Sequence, residues 1–256
     1  MPEIPAAALD DHALAAVLAE QAGQMLLELR ETLVLQGADQ RTIKDAGDRQ
    51  SHLWLLDALS TLRPNDAVLS EEGRDSRERL GQERVWIIDP LDGTREYGEG
   101  RSDWAVHVAL SVDGKPAIGA VAQPGLNAVY ATGGSLQLPE RDPDKPITMV
   151  VSRSRAPMIT MMVARELDAR YIEMGSAGAK SMAVVRGEAD IYLHAGGQYE
   201  WDNCAPAAVA LAAGLHASRI DGWPLTYNHP DPWSPDLLIC RPEYAESILR
   251  YISLYL

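Results

Sequence analysis

Apolar and polar positions alternate along the chain in a way that marks out its elements. Asp10 and Asp11 precede Leu14, Val17, Leu18, Met25, Leu29 and Leu33, whose spacing mostly fits a 3.6-residue stripe and predicts an amphipathic helix with an acidic cap. A polar segment, Gln36 to Gln50, leads into a second helix with Leu53, Leu56 and Leu59 on one face, ended by Arg63-Pro64-Asn65. Ala67-Val68-Leu69 reads as a short strand running into Glu71-Glu72-Gly73, and the charged stretch Arg74 to Gln82 as a solvated loop. The near-continuous apolar run Val85-Trp86-Ile87-Ile88 has the character of a strand buried on both faces, and it stops at Asp89. Residues 104–112 and 117–122 form hairpin partners across Asp113-Gly114, and 127–132 adds a third strand.

The Pro-rich, charged stretch from Pro139 to Pro146 is the natural boundary between an N-terminal lobe, 1–146, and a C-terminal lobe, 147–256. Beyond it strands and helices alternate: strand 147–151, helix 157–167, a small-residue helix 175–186, strand 190–193, an Ala-rich helix 202–213 closed by Gly214, strand 237–240 and a last helix 243–254. The pattern predicts layered α and β structure with mixed sheets, an α+β fold.

Composition narrows what such a fold could serve. Of 256 residues 46% are apolar, enough for a substantial core, while the formal net charge of -14 disfavours nucleic acid and acidic membrane surfaces as partners. A small anionic substrate stays open, because a carboxylate cluster that holds cations presents a positive field to phosphate. Cys204 and Cys240 lack metal-ligand or redox spacing and read as reduced, partly buried thiols. Met1 to Pro5 carries no signal-peptide pattern, and no apolar run approaches the roughly 20 residues of a membrane span, so a cytoplasmic location is expected.

Three acidic groups share one local context, each at the end of an apolar strand or the head of a helix: Glu71-Glu72, Asp89 with Asp92, and Asp202. Taken singly, the first reads as a solvated pair, Asp92-Gly93 as a turn and Asp202 as an N-cap. The unit Trp86-Ile87-Ile88-Asp89-Pro90-Leu91-Asp92-Gly93-Thr94 changes this. Two carboxylates follow a buried strand and precede a Gly-Thr whose amides can meet a phosphate oxygen. An all-oxygen cluster suits a hard cation such as Mg²⁺ rather than zinc. A phosphatase with a nucleophilic aspartate two residues before Asp92 is excluded, since Pro90 stands there. The segment also lacks the alternating carboxylates of an EF-hand loop.

At this point the sequence resembles the Mg²⁺-dependent, lithium-sensitive inositol monophosphatase superfamily, on Leu-Ser-Glu-Glu-Gly at 69–73, the unit at 86–94 and Glu-Trp-Asp-Asn-Cys-Ala-Pro at 200–206. Segments 150–154, 175–180 and 222–227 are similar to the CysQ branch, the 3′(2′),5′-bisphosphate nucleotidases. The resemblance implies a layered αβαβα sandwich and a site with two to three Mg²⁺. Glu71, Asp89 and the Leu91 carbonyl would hold one; Asp89, Asp92 and Asp202 a second; a third would lie between Glu71 and an upstream aspartate. The family's Val-Thr-x-Ala-Asp reads Lys44-Asp45-Ala46-Gly47-Asp48 here, which puts Asp48 at that aspartate and leaves Asp45 as a spare carboxylate.

Asp48 and Thr94 would then orient and deprotonate the attacking water, while the Gly93 and Thr94 amides grip the phosphoryl group. Ser152, Arg153, Ser176, Lys180 and Glu200 fall in segments that approach the substrate in the family, as does Arg155. Inositol-preferring members place a Glu where this chain has Ala195. The expected substrate is therefore 3′-phosphoadenosine 5′-phosphate, hydrolysed to AMP and phosphate in sulfate assimilation. Inositol-1-phosphate or fructose-1,6-bisphosphate is the alternative. A non-catalytic phosphate or metal sensor would have lost ligands that are all present. A homodimer would match many relatives.

Overall fold

The computed structural model describes residues 9–154 and 156–255, so Arg155 and the reading of Met1–Pro5 lie outside the described residues. Helices α1 (Asp11–Leu35) and α2 (Gln40–Leu62) come first, followed by β1 (Ala67–Ser70), β2 (Arg84–Asp92), the short α3 (Thr94–Gly98), β3 (Ala105–Val112), β4 (Lys115–Gln123) and β5 (Ala128–Ala131). The second half holds β6 (Thr148–Ser152), α4 (Met158–Glu166), β7 (Arg170–Met174), α5 (Ala177–Val185), β8 (Ile191–Tyr199), α6 (Glu200–Ala212), β9 (His216–Ser218), β10 (Trp233–Cys240) and α7 (Pro242–Ile252).

Two five-stranded sheets result, ordered β1-β2-β3-β4-β5 and β7-β6-β8-β10-β9. Both are mixed: β1 runs parallel to β2, and β6 parallel to β7 and β8, whereas β2 to β5 and the β8-β10-β9 set are antiparallel. The period-2 rule divides β2 between two cores. Val85 and Ile87 face Met182, Val184, Cys204 and Val209 of α5 and α6, while Trp86 and Ile88 face Leu14, Leu18, Leu26 and Leu55 of α1 and α2. Leu237 and Ile239 of the second sheet close the central core from the far side, and Leu238 and Cys240 join Val163, Ile248 and Ile252 of α4 and α7 in a third. The layers are thus αβαβα, the expected sandwich. Among the described residues no helix is long and apolar enough to cross a membrane.

The middle layer owes its closeness to small side chains. A Cβ at Gly119 on β4 would stand 2.7 Å from the Ala205 carbonyl, so α6 lies almost backbone to backbone on the first sheet. This brings the head of α6, with Asp202, to the end of β2.

Several elements differ from the hydrophobic pattern. α2 begins at Gln40, four residues into the segment read as polar, because the Asp39 side chain caps it by accepting from the Thr42 amide at 2.7 Å. Its first turns bury only Ile43 and Gly47, too little for a visible stripe. The charged stretch 74–82 holds a 3₁₀ turn and Arg79, which is 2% exposed. Arg79 binds Asp75 through two nitrogens and reaches Asn228 and the His229 carbonyl, so this loop is fastened rather than solvated. Edge strands β7 and β9 are short and largely unburied, with little apolar alternation to reveal them.

Candidate metal and phosphate site

β2 pairs regularly with β3 as far as Asp89 opposite His107, then loses register before Asp92 opposite Ala105. Pro90 and Leu91 sit in this irregularity, which directs both aspartates to one side. Its shape is held locally: Ser51 Oγ donates to the Pro90 carbonyl at 2.7 Å, and the Leu91 amide donates to Asp89 Oδ1 at 3.1 Å. Gly93 follows at φ 86°, where a Cβ would crowd Ser176 Cβ at 3.0 Å, so the turn into α3 calls for glycine.

Asp89, Asp92 and Asp202 each bring a carboxylate oxygen within 4.8 Å of the others. Asp202 stands at the third position of α6, where its Oδ2 accepts from the Tyr199 amide at 2.6 Å. It is therefore both a cap and a member of the cluster. Glu71, just past β1, is exposed and lines the cleft beside Asp92 and Asp202. The Thr94 hydroxyl is 3.1 Å from both Asp48 Oδ1 and the Leu91 carbonyl, and its one proton serves one of them at a time. Asp45 points elsewhere: it is exposed and 3.6 Å from Arg41, so the upstream carboxylate that meets Thr94 is Asp48.

The electrostatics separate the carboxylates. Burial pushes Asp89 well above the usual carboxylate range, helped by Glu71 and Asp92. Burial and then Asp92 raise Asp202 to about 6, and burial raises Asp48 to about 6 against the Thr94 hydroxyl bond. Crowding by protein atoms, then Asp202 and Glu72, lift Glu71 to about 7. Asp92 goes the other way. Burial opposes its charge, yet His107, Ser176 and the Gly178 amide together hold it down to about 2. Its oxygens accept from the Ala177 amide at 3.1 Å and the Gly178 amide at 2.6 Å, the first N–H groups of α5.

His107 was not foreseen. It is fully buried, with Nε2 3.1 Å from Asp92 Oδ2 and Nδ1 3.0 Å from the Trp201 carbonyl. Burial opposes its charge, yet the neighbouring Asp92 carboxylate and the Trp201 carbonyl raise its pKa. A lone histidine in the apolar run of β3, in register with Asp89, was the available signal. It also accounts for Gly178, where a Cβ would fall 2.1 Å from Nε2.

A cleft of about 600 Å³ opens beside the cluster, lined by Glu71, Asp92, Gly93 and Asp202 at one end and by Ser152, Ser176 and Lys180 along it. Lys180 is buried, and its Nζ donates to the carbonyls of Gly175 and Ser176, which fixes its place in the wall. Arg153 and Glu200, also expected near the substrate, have partners within the protein. Arg153 reaches Glu96 at 2.7 Å and Glu99 at 2.8 Å, so its guanidinium braces α3. Glu200 is 1% exposed and accepts from the Asn228 and His229 amides at 2.7 and 2.8 Å, clamping that loop. Both side chains are engaged in holding the walls, and neither lines the cleft. Only the long-range packing of α3 and of the 228–229 loop reveals this, and neither motif carries it.

A layered αβαβα sandwich with an acidic cluster at a strand end defines the class, and the sequence agrees: residues 10–253 match the inositol monophosphatase family, to which this chain belongs. The 3′-phosphoadenosine 5′-phosphate phosphatase of Mycobacterium leprae is 49% identical, the match covering 96% of this chain and 94% of that protein. The enzyme of the same description from Mycobacterium tuberculosis is 51% identical over 91% and 89%. The 3′(2′),5′-bisphosphate nucleotidase CysQ of Escherichia coli K12 is 32% identical over 82% and 91%. Among solved structures, CysQ from Bacteroides thetaiotaomicron superposes with a TM-score of 0.73 at 24% identity, covering 89% of this chain and 96% of its own. Inositol monophosphatase II from Staphylococcus aureus gives 0.78 at 20%, over 94% and 96%. Enzymes of this family are metal-dependent, and the acidic triad is a set of oxygens able to hold a metal ion.

Proposed function

We propose that this chain is a Mg²⁺-dependent phosphomonoesterase that hydrolyses 3′-phosphoadenosine 5′-phosphate to AMP and phosphate, serving sulfate assimilation. The observation that carries the substrate is the identity of about half the residues, across nearly the full length, to two proteins described as phosphatases of that nucleotide. Ala195, where inositol-preferring members carry a Glu, lines the pocket next to the cleft and agrees with it.

The donor set fits Mg²⁺: every group is a carboxylate or a carbonyl, and the crowded acids retain protons in the absence of a countercharge. Asp89, Asp92 and Asp202 would hold one ion, Glu71, Asp89 and the Leu91 carbonyl another, and Asp48 with Glu71 a third. When bound, the ions supply Lewis acidity, lowering the pKa of a water molecule and offsetting charge on the phosphate and the leaving oxygen.

The chain's own residues do the rest. Asp48, pushed up to about 6, is poised to accept a proton near neutrality, and Thr94 relays it because its hydroxyl both donates to Asp48 and can accept from water. The Gly93 and Thr94 amides precede the first hydrogen bond of α3, and, with Gly93 on the cleft wall, they would receive phosphoryl oxygens. Asp92, fixed by His107 and the head of α5, keeps its charge and its orientation throughout. The enzyme acts on a small molecule in the cytoplasm, as a homodimer.

The test is a comparison of kcat/KM for 3′-phosphoadenosine 5′-phosphate, inositol-1-phosphate and fructose-1,6-bisphosphate over a Mg²⁺ titration. The nucleotide should lead by a wide margin, with no release of phosphate in EDTA. A preference for inositol phosphate would sink the reading, and absence of metal-dependent hydrolysis would favour a sensor. Inhibition by Li⁺ would support the third ion.

A further inference from the structure

The cleft does not end at the carboxylates. Its wall includes Ser152, Ser154, His194, Gly196 and Gly197, which also line an adjoining cavity of about 390 Å³. Trp233, the first residue of β10, also lines the cleft.

Three features set Trp233 apart. It is 51% exposed, a large apolar surface left open to water inside an otherwise polar cleft. Its ring lies over Gly197, where an added Cβ would come 2.6 Å from Nε1 and 3.2 Å from Cε2. At the neighbouring Gly196 an added Cβ would meet nothing within 4 Å. Tyr199, opposite Trp233 in the β8–β10 register, is already stacked on Trp201 with centroids 4.8 Å apart and planes at 11°. Among the described residues, Trp233 is the cleft aromatic that is largely exposed and stacks on no other ring.

The indole is also well anchored to the metal-binding end. The Trp233 amide donates to Asp231 Oδ1 at 3.1 Å, and the preceding Pro232 carbonyl accepts from the Glu200 amide at 2.8 Å. Glu200 opens the helix that carries Asp202 two residues later. A short, rigid path therefore joins the exposed ring to a carboxylate of the acidic cluster.

We propose that Trp233 is the specificity-determining platform on which the purine base of the substrate stacks. The inference rests on the nucleotidase reading above and adds what selects a nucleotide over other phosphomonoesters. Inositol and fructose phosphates present only hydroxylated, non-planar rings, which gain little from an indole face. A purine presents a π-face, and base–aromatic stacking contributes about 1–3 kcal/mol per base. One cleft thus offers carboxylates beside which the phosphate can bind and an indole face for the base.

The test compares 3′-phosphoadenosine 5′-phosphate with ribose 3,5-bisphosphate, which lacks only the base, in the wild type and in Trp233→Leu and Trp233→Phe. Leucine keeps apolar bulk on Gly197 without a π-face, and phenylalanine restores an aromatic ring. In the wild type the base should improve kcat/KM, chiefly through KM. Trp233→Leu should reduce that advantage roughly tenfold, and Trp233→Phe should recover much of it. An unchanged ratio in Trp233→Leu, with the wild type still preferring the nucleotide, would overturn the platform alone. Equal losses on both substrates would assign Trp233 a purely structural role and overturn it as well. A wild type that does not hydrolyse the nucleotide would overturn the nucleotidase reading first, and the platform with it.

Discussion

Asp92 and Asp202 lie within reach of one metal ion, yet their surroundings pull them in opposite directions. Asp92 meets an imidazole, a hydroxyl and two amides, and is held near 2. Asp202 meets one amide and the negative charge of Asp92, and is raised to about 6. Asp92 is thus a permanent anion around which the other ligands are arranged. Replacing it with asparagine retains an oxygen for the α5 amides while removing the charge. Mg²⁺-dependent turnover of Asp92→Asn should fall by at least roughly a hundredfold, since even indirect partners of metal ligands contribute 10–100-fold. Circular dichroism should show the native fold, and near-normal activity in this variant would discard the metal assignment.

At the scale of elements, α2 meets α3 closely enough for Asp48 to reach Thr94 only because residue 47 is glycine. A Cβ there would stand 2.8 Å from the Tyr97 ring and 2.9 Å from Leu91 Cδ2. Gly47→Ala gains helix propensity but overpacks this contact, which should cost roughly 1–3 kcal/mol in net stability. Chemical denaturation would measure that loss. Because the same shift separates Asp48 from Thr94, kcat should fall further than the lost stability accounts for, and a variant impaired in stability alone would argue against the Asp48–Thr94 pair. The same glycine explains why the start of α2 was hard to read. Polar residues flank a buried Gly47 and Ile43, so the helix packs through closeness rather than through a stripe of large apolar groups. The β2 run and its terminal Asp-Pro-Leu-Asp-Gly-Thr were legible because strand, stop and carboxylates are contiguous. His107, Arg79 and Trp233 were not, for each acquires its meaning from a residue far away in the chain: Trp201, Asn228 and Gly197. The partners of Arg153 and Glu200, Glu96 and the 228–229 loop, were illegible for the same reason.

For the molecule as a whole, the cluster ties folding, pH and metal together. Glu71, Asp202 and Asp48 have folded-state pKa values raised to about 7, 6 and 6 from unfolded values of 4.5, 3.8 and 3.8, burial leading for Asp202 and Asp48 and crowding by protein atoms for the solvent-exposed Glu71. Between the unfolded and folded values the native state binds more protons than the unfolded chain. Stability contributed by these groups is therefore present below about pH 4 and declines as pH rises through 6 to 7. The metal-free protein should lose Tm across that window as the carboxylates become charged against one another. A divalent cation reverses the sign of that interaction, and above pH 7 it has no protons to displace. The increase in Tm on adding saturating Mg²⁺ should accordingly be larger at pH 7.5 than at pH 5.5, by several degrees, and binding at the lower pH should release protons into weakly buffered solution. Thermal unfolding at the two pH values, with EDTA or with Mg²⁺, measures both effects. Asp92→Asn serves as the internal control, because removing a ligand should flatten the difference. An increase independent of pH would mean that the ion binds away from the raised carboxylates, and the joint role of Glu71, Asp202 and Asp48 would have to be abandoned.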